Sequence, residues 1–273
     1  MNHIVKQIIL GVVKLKCNHF GKKSKETDEH FLDMFILFLK DYTKWKCLDF
    51  CTLSKYTSDN YRKKFHYWVR MGVFNDAYDI IYEMVKNKLV NHKSVNCFID
   101  ATNIRNINGS YKNNLDENGN TLLGRLYCDK FKRGLKVTIL LTEENYPLDV
   151  KISNGGSHDI TIVPEIKEKL IRNFKSNKKH RVNIVGDKGY TSNVIRQEFE
   201  ENKMHYIVPN KTNSVTKDNL TSSEKSLLDK RHKIENYFAH IKQYSRLRLM
   251  YDKYVYTYLG FLYLGILTKI PIA

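Results

Sequence analysis

The spacing of apolar residues changes near residue 93, and that change limits the folds open to this chain. Up to Lys93, apolar side chains recur every three or four residues, as in Phe31, Phe35, Phe38 and Leu39, or Phe65, Trp68, Val69 and Val73. That is the stripe of amphipathic helices. The opening MNHIVKQIILGVVKLKCNHF fits such a helix: Lys6 and Lys14 interrupt its apolar centre and no small-residue cleavage site follows, so an amphipathic helix is expected here rather than a signal peptide. Beyond Lys93 come short β-rich runs, SVNCFIDAT, then GLKVTILLT and PLDVKIS flanking the turn residues EENY as in a hairpin. Helical spacing returns from Ile160, followed by strand-like RVNIVGD, helix-like TSNVIRQEFEENK, a short strand HYIVP and a long helical pattern from about Ser222 to Arg248. The predicted order is βββαβαβα, with a loop over the polar run from Asn210 to Ser223. The closing TYLGFLYLGILTKIPIA is apolar from Thr257 to Leu267, short of the ~18 residues that span a bilayer, so a buried terminal helix is expected and no membrane partner.

Residues 1–93 are therefore expected to form an all-helical N-terminal region and residues 94–273 a mixed α/β domain. Thr57, Ser58 and Asp59 supply helix-start chemistry before NYRKKFHYWVRMGVF, after a turn near Ser54 to Thr57. A short helix, that turn and a basic second helix compose a helix-turn-helix-like unit; a plain helical bundle gives the same pattern. Arg62, Lys63, Lys64 and Arg70 make the second helix a candidate DNA-binding face. The whole chain is basic, with 46 Lys and Arg against 29 Asp and Glu, a net charge of +17 and a pI near 9.5, which points to a polyanionic partner. A hydrophobic content of 42% excludes a disordered tail or a collagen-like repeat. The five cysteines, Cys17, Cys47, Cys51, Cys97 and Cys128, include one C-x-x-x-C spacing and no second pair. They indicate reduced thiols rather than a disulfide framework or a zinc site.

A strand meander followed by alternating helices and strands is the order of a ribonuclease H-like mixed sheet, in which the first and fourth strands are neighbours. Asp100 lies in the first of these strands, and Asp187 ends the fourth, before Lys188 and Gly189. Adjacent strands are ~4.8 Å apart, which brings the two carboxylates together. Close carboxylates repel unless a cation lies between them. Hard oxygen ligands with open positions suit Mg²⁺ or Mn²⁺, and two such ions can activate an attacking oxygen and stabilise the leaving oxygen of a phosphodiester. A third carboxylate is expected from a helix lying across the sheet, and RHKIENYFAHIKQYSRLR offers Glu235. Arg231, one turn before it, and Lys242, seven residues after it, fall on the same stripe at ~100° per residue and would face phosphate. An i, i+4 pair with Arg231 on a solvated face accounts for Glu235 taken alone.

Three further features have two readings each. His158 and Asp159 either support the metal site, or Ser157 or Asp159 caps the following helix. The run KLIRNFKSNKKHR, from Lys169 to Arg181, either tracks a DNA backbone or is a solvated helix end. Tyr190 either packs beside the turn after Asp187 or stacks on a flipped base.

From about Val95 onward the chain resembles insertion-sequence DDE transposases of the group four and group five type. The likeness rests on FIDAT around Asp100, GDKGY around Asp187, and R-x-x-x-E-x-x-x-x-x-x-K spanning Arg231, Glu235 and Lys242, with a looser match in KVTILLTEENYPLDVKISNGGSHD. The family's tyrosine three residues before the arginine falls on Leu228 here. The resemblance implies a ribonuclease H-like catalytic domain with Asp100, Asp187 and Glu235 as catalytic metal ligands, and Arg231 and Lys242 on DNA. It also implies Mg²⁺ as cofactor, terminal inverted repeats as substrate and strand transfer into target DNA. A homodimer or larger assembly on DNA and an intracellular, DNA-associated location follow by analogy. The alternatives are a metal-dependent nuclease that does not join ends, and a non-catalytic transposon-derived DNA-binding protein.

Overall fold

Periodicity alone leaves open which elements pack together, and a computed structural model answers this for residues 1–17, 26–51, 56–108, 114–115, 119–130, 132–174, 181–210 and 220–272. In chain order the helices are α1 (His3–Lys16), α2 (Asp28–Asp41), α3 (Leu48–Cys51), α4 (Ser58–Arg70) and α5 (Val73–Leu89). Then come β1 (Ser94–Arg105), β2 (Gly124–Leu126), β3 (Lys132–Thr142), β4 (Pro147–Asn154), α6 (Val163–Asn173), β5 (Arg181–Val185), α7 (Asn193–Glu201) and β6 (His205–Ile207). The chain closes with α8 (Ser222–Asp229), α9 (His232–Lys242), α10 (Ser245–Arg248) and α11 (Val255–Lys269). The expected order is present with one addition, the three-residue β2, and one correction. The long helical pattern from Ser222 to Arg248 is three helices, because bonds of the i→i−3 kind tighten the backbone at Arg231, Lys233 and Ile234, and again at Tyr244.

Packing groups Met1–Tyr82, Ile104–Thr121 and His240–Ala273 into one unit, and Glu83–Asn103 and Leu122–Ala239 into another. This differs from a division at residue 93, since the C-terminal residues pack with the N-terminal helices. The reason lies in α11, which is apolar nearly all round and must be enclosed. Helices α2 and α4 offer it an aromatic wall: Phe261 stacks on Phe65 at 4.0 Å between ring centroids, and Phe38 stacks on Trp45 at 4.1 Å. Gly260 permits the approach of α11 to α4, because a Cβ there would lie 2.3 Å from Val69 Cγ2. Asn114 holds the start of α11, accepting from Val255 N at 2.6 Å and donating to Lys253 O at 3.0 Å. Deep in this unit Arg246 pairs with Asp252 and donates to the Thr43 carbonyl, while its guanidinium lies 5.0 Å from the Phe261 ring. The expected N-terminal amphipathic helix is α1, which buries Val5, Ile9, Val12 and Val13. Helix α4 begins where expected, but the Thr57 side chain makes no cap bond. Asp49 does this work instead, accepting from Ser58 N at 2.6 Å and Ser58 Oγ at 2.9 Å.

The second unit is built on the sheet. Its order is β2-β3-β1-β5-β6, with β4 also on β3. Setting aside the short β2, the strands run β4-β3-β1-β5-β6, which is the ribonuclease H-like arrangement, a hairpin followed by parallel strands on the far side of β1. Strands β3 and β4 pair antiparallel, while β1–β5 and β5–β6 pair parallel. Such a central sheet needs near-continuous apolar strands. Cys97, Phe98 and Ile99 of β1, Ile139, Leu140 and Leu141 of β3, and Val182, Ile184 and Val185 of β5 are all buried. Ile166 and Leu170 of α6 and Phe199 of α7 add to this core. The turn near Ser54, residues 175–180 of the basic run and residues 211–219 of the expected loop lie outside the described residues, as do the side chains of Cys51 and Cys128. Among the described residues Cys17, Cys47 and Cys97 are in no disulfide, and Cys17 and Cys97 are buried.

Candidate active site

Strand register brings the first two carboxylates together. Phe98 of β1 is paired with Val185 of β5. Asp100 lies two residues beyond that pair within β1, and Asp187 lies two residues beyond it, just past the end of β5 with its own backbone still extended, so the even step brings the two carboxylates to one side, where the charge of Asp187 acts on Asp100. Asp100 is half-buried and its Oδ1 accepts from Ala101 N at 2.8 Å. Burial pushes its pKa up to about 6, opposed by the Ala101 bond and the Arg231 charge and reinforced by the charges of Asp187 and Glu235. Asp187 caps a short 3-10 turn, Lys188–Tyr190, its Oδ1 accepting from Gly189 N at 2.8 Å. A Cβ at Gly189 would lie 2.9 Å from that same oxygen, which explains the glycine.

Glu235 lies in the first turn of α9 and is exposed. Arg231 joins it to the sheet: Nη2 lies 2.5 Å from Glu235 Oε1 and Nη1 lies 3.3 Å from Asp100 Oδ2. The i, i+4 pair expected of a solvated helix face therefore exists, and its guanidinium also reaches the strand carboxylate. Two negative groups already share one positive charge here. Among the described residues, no three His, Cys, Asp or Glu side chains stand close enough to hold a metal ion as they are arranged.

The sequence reading missed a clamp on α9. Glu143, in the hairpin turn, receives Lys230 Nζ at 2.8 Å and Asn96 Nδ2 at 2.7 Å, and its carbonyl accepts from Lys233 Nζ at 3.0 Å. These bonds tie the start of α9 to the end of β3. No sequence signal marked Glu143, because a turn glutamate is ordinarily solvated. The lysines beside Glu143 hold its carboxyl below the usual range. Lys136 was also missed, although it is the single cation within the apolar run GLKVTILLT. Its Nζ reaches Asp159 Oδ1 at 2.6 Å and the Ser157 carbonyl at 2.6 Å. Asp159 is thus engaged by Lys136, while the exposed His158 makes no side-chain cap bond.

The candidate DNA contacts divide by environment. Arg70 is exposed. Arg62 and Lys63 are exposed and both pair with Asp59, at 2.6 and 2.7 Å. Lys64 faces inward: its Nζ lies 3.0 Å from Asp28 Oδ1 and 5.1 Å from the Phe31 ring centroid. Lys242 is the last residue of α9 and half-buried, and its carbonyl accepts from Arg248 Nε at 3.4 Å. In the basic run, Lys169 is taken up by Asp149 at 2.7 Å. Tyr190 is fully buried, which favours packing over stacking on a flipped base. Leu228 lies half-buried on α8.

No curated protein matches the chain by sequence. Among solved structures, the chain is similar to piggyBac transposase in a synaptic complex with hairpin DNA, at 12% identity and a TM-score of 0.41, over 79% of this chain and 50% of that one. It is also similar to Mos1 transposase in a paired-end complex with the left transposon end, at 11% identity and a TM-score of 0.27, over 82% and 80% of the two chains. The Mos1 mariner paired-end complex with Mn gives 14% identity and a TM-score of 0.28, over 92% and 80%. The chain spans about half the length of the piggyBac transposase chain. The family described as Transposase DDE domain matches residues 92–262, a span that contains β1, β5 and α9 with Asp100, Asp187 and Glu235, and the chain belongs to that family.

Proposed function

We propose that this chain is a DNA transposase that cleaves phosphodiester bonds at the terminal inverted repeats of its element and joins the freed 3′-hydroxyl to target DNA. The observation that carries this reading is the β1–β5 register, which gives Asp100 and Asp187 one face of the sheet while Arg231 links Asp100 to Glu235. Three carboxylates offer only hard oxygens, the donor set of Mg²⁺ or Mn²⁺, and Arg231 between two of them supports a site that favours positive charge. Asp100, Asp187 and Glu235 would hold two such ions. When bound, divalent cations make an attacking oxygen more nucleophilic and neutralise charge on the phosphoryl oxygens.

The chain's own contribution is positioning. Asp100 and Asp187 are fixed by paired strands and by the Ala101 and Gly189 amides. Glu235 comes from a helix whose start is clamped at Glu143. Arg231, on leaving the carboxylates, presents a planar fork suited to two phosphate oxygens. Lys242 adds a further phosphate contact. Residues 1–93 serve as the DNA-binding region, with Arg62, Lys63 and Arg70 on the backbone. Lys64, counted with them in the sequence, is better suited to holding α4 against α2. Residues 94–273 serve as the catalytic region. The protein works on double-stranded DNA inside the cell as a homodimer or larger assembly, so that two ends are handled together.

Incubating the purified chain with the DNA flanking its own gene and Mg²⁺, then mapping 3′ ends, tests the reading. New 3′-hydroxyls at the element boundaries together with joined products are expected. Cut but unjoined ends would indicate a nuclease, and binding without cleavage a DNA-binding protein.

A further inference from the structure

Tyr190 closes the turn that Asp187 opens. Its backbone is fully engaged: its N–H donates to the Asp187 carbonyl at 3.1 Å, and its carbonyl accepts from the Tyr206 hydroxyl at 2.9 Å. The side chain has 0% exposure, yet its hydroxyl has no hydrogen-bond partner among the described residues. The ring packs under the strand end. A Cβ at Gly186 would lie 3.0 Å from Ile99 Cγ2 and 3.3 Å from Tyr190 Cδ2, so this ring sits beside the residues that precede both Asp100 and Asp187.

The surroundings of the hydroxyl are negative. Burial raises its pKa far above the ordinary range, and the charges of Asp159, Asp100 and Asp187, in that order, raise it further. Asp159 gives one oxygen to Lys136 and turns the other toward the Asp187 turn, where it would lie 3.5 Å from a Cβ on Gly189. A phenylalanine would fill the same space without burying an unpaired donor. A sealed, unpartnered donor on which three carboxylate charges act fits a requirement that arises when those carboxylates are drawn together.

We infer that Tyr190 is a positioning residue for the cation site, its hydroxyl donating to the Asp187 carboxylate when a divalent ion draws Asp187 and Asp100 together, with Asp159 and Lys136 as the fixed wall behind it. The inference rests on the transposase reading above. Its chemistry is that of the outer hydrogen bonds that orient metal ligands, whose loss commonly weakens metal binding by 10–100-fold.

The test compares full-length wild type, Tyr190→Phe and Asp187→Asn by Mn²⁺ titration followed by electron paramagnetic resonance, and by thermal unfolding in EDTA and in Mn²⁺. Tyr190→Phe should keep or raise the metal-free melting temperature, because the hydroxyl has no partner there, and should bind Mn²⁺ about tenfold more weakly. Equal Mn²⁺ affinity in Tyr190→Phe and wild type would overturn the inference, as would a lower metal-free melting temperature in the variant. If wild type itself binds no Mn²⁺, or Asp187→Asn binds it as tightly as wild type, the cation-site reading fails as well. If Asp187→Asn alone loses the ion, only the role of Tyr190 fails.

Discussion

Arg231 and Asp100 lie 131 residues apart in the chain and meet at 3.3 Å between Nη1 and Oδ2. The same guanidinium holds Glu235, so one positive charge serves a strand carboxylate and a helix carboxylate. This arrangement sets up a competition, because a divalent ion and Arg231 would seek the same oxygens.

Replacing Arg231 by Gln is therefore expected to strengthen Mn²⁺ binding by about tenfold, since an opposite charge at such range shifts carboxylate equilibria by one to three orders of magnitude. Binding to duplex DNA should weaken in the same variant. Calorimetric Mn²⁺ titration checks the first effect. Weaker Mn²⁺ binding than wild type would mean that Arg231 supports the ion rather than competing with it.

Asp187→Asn should separate binding from chemistry. It keeps size and hydrogen-bonding capacity and removes the charge that would hold the cations. Affinity for element ends should be equal to or above wild type, because phosphate no longer meets that carboxylate. Cleavage should fall by at least ~10³. Gel-shift and cleavage assays on one substrate measure both, and retained cleavage would move the active site elsewhere.

The pH dependence of the metal-free protein follows from Asp100. Its folded pKa of about 6 lies above the ~3.9 of an unfolded aspartate. The stability it contributes is thus complete below about pH 4 and is lost as pH rises through about 6. Asp100→Asn cannot ionise. Between pH 4 and pH 7 its melting temperature in EDTA should climb relative to wild type by a few degrees. Parallel profiles would show that burial of Asp100 has no such consequence.

Glu143 is expected to act on Glu235 from a distance. Glu143→Ala frees Lys230 and Lys233, loosening the start of α9. A misplacement of ~1 Å can cost ~10² in rate, so cleavage should fall by one to two orders of magnitude with little change in duplex affinity. Unchanged cleavage would show that α9 is held elsewhere.

On α4 two basic residues should respond differently. Arg70→Ala should lower duplex affinity and flatten its decline between 50 and 200 mM salt. Lys64→Ala should cost about 1 kcal/mol of stability through loss of its Asp28 pair and its place over Phe31. Fluorescence anisotropy and chemical denaturation read the two effects, and a reversed pattern would refute the assignment of these side chains.

What the sequence determined by itself is local or nearly so. Periods of 3.6 and 2 reported which segments are helices and which are strands. The apolar runs around Asp100 and before Asp187 had to be buried strands, and the meander order made them neighbours, so the pairing of β1 with β5 was legible before any coordinates. The i, i+4 relation of Arg231 and Glu235 was legible for the same reason. Tertiary structure alone decided which distant groups meet: Arg231 with Asp100, Glu143 with Lys230, Lys136 with Asp159, and α11 with α2 and α4. It also turned Lys64 inward and sealed the Tyr190 hydroxyl. A charged or aromatic residue states only what kind of partner it needs. Several were available along the chain for each, and the choice fell to whichever groups the packing of helices and strands brought within a few ångströms and shielded from water.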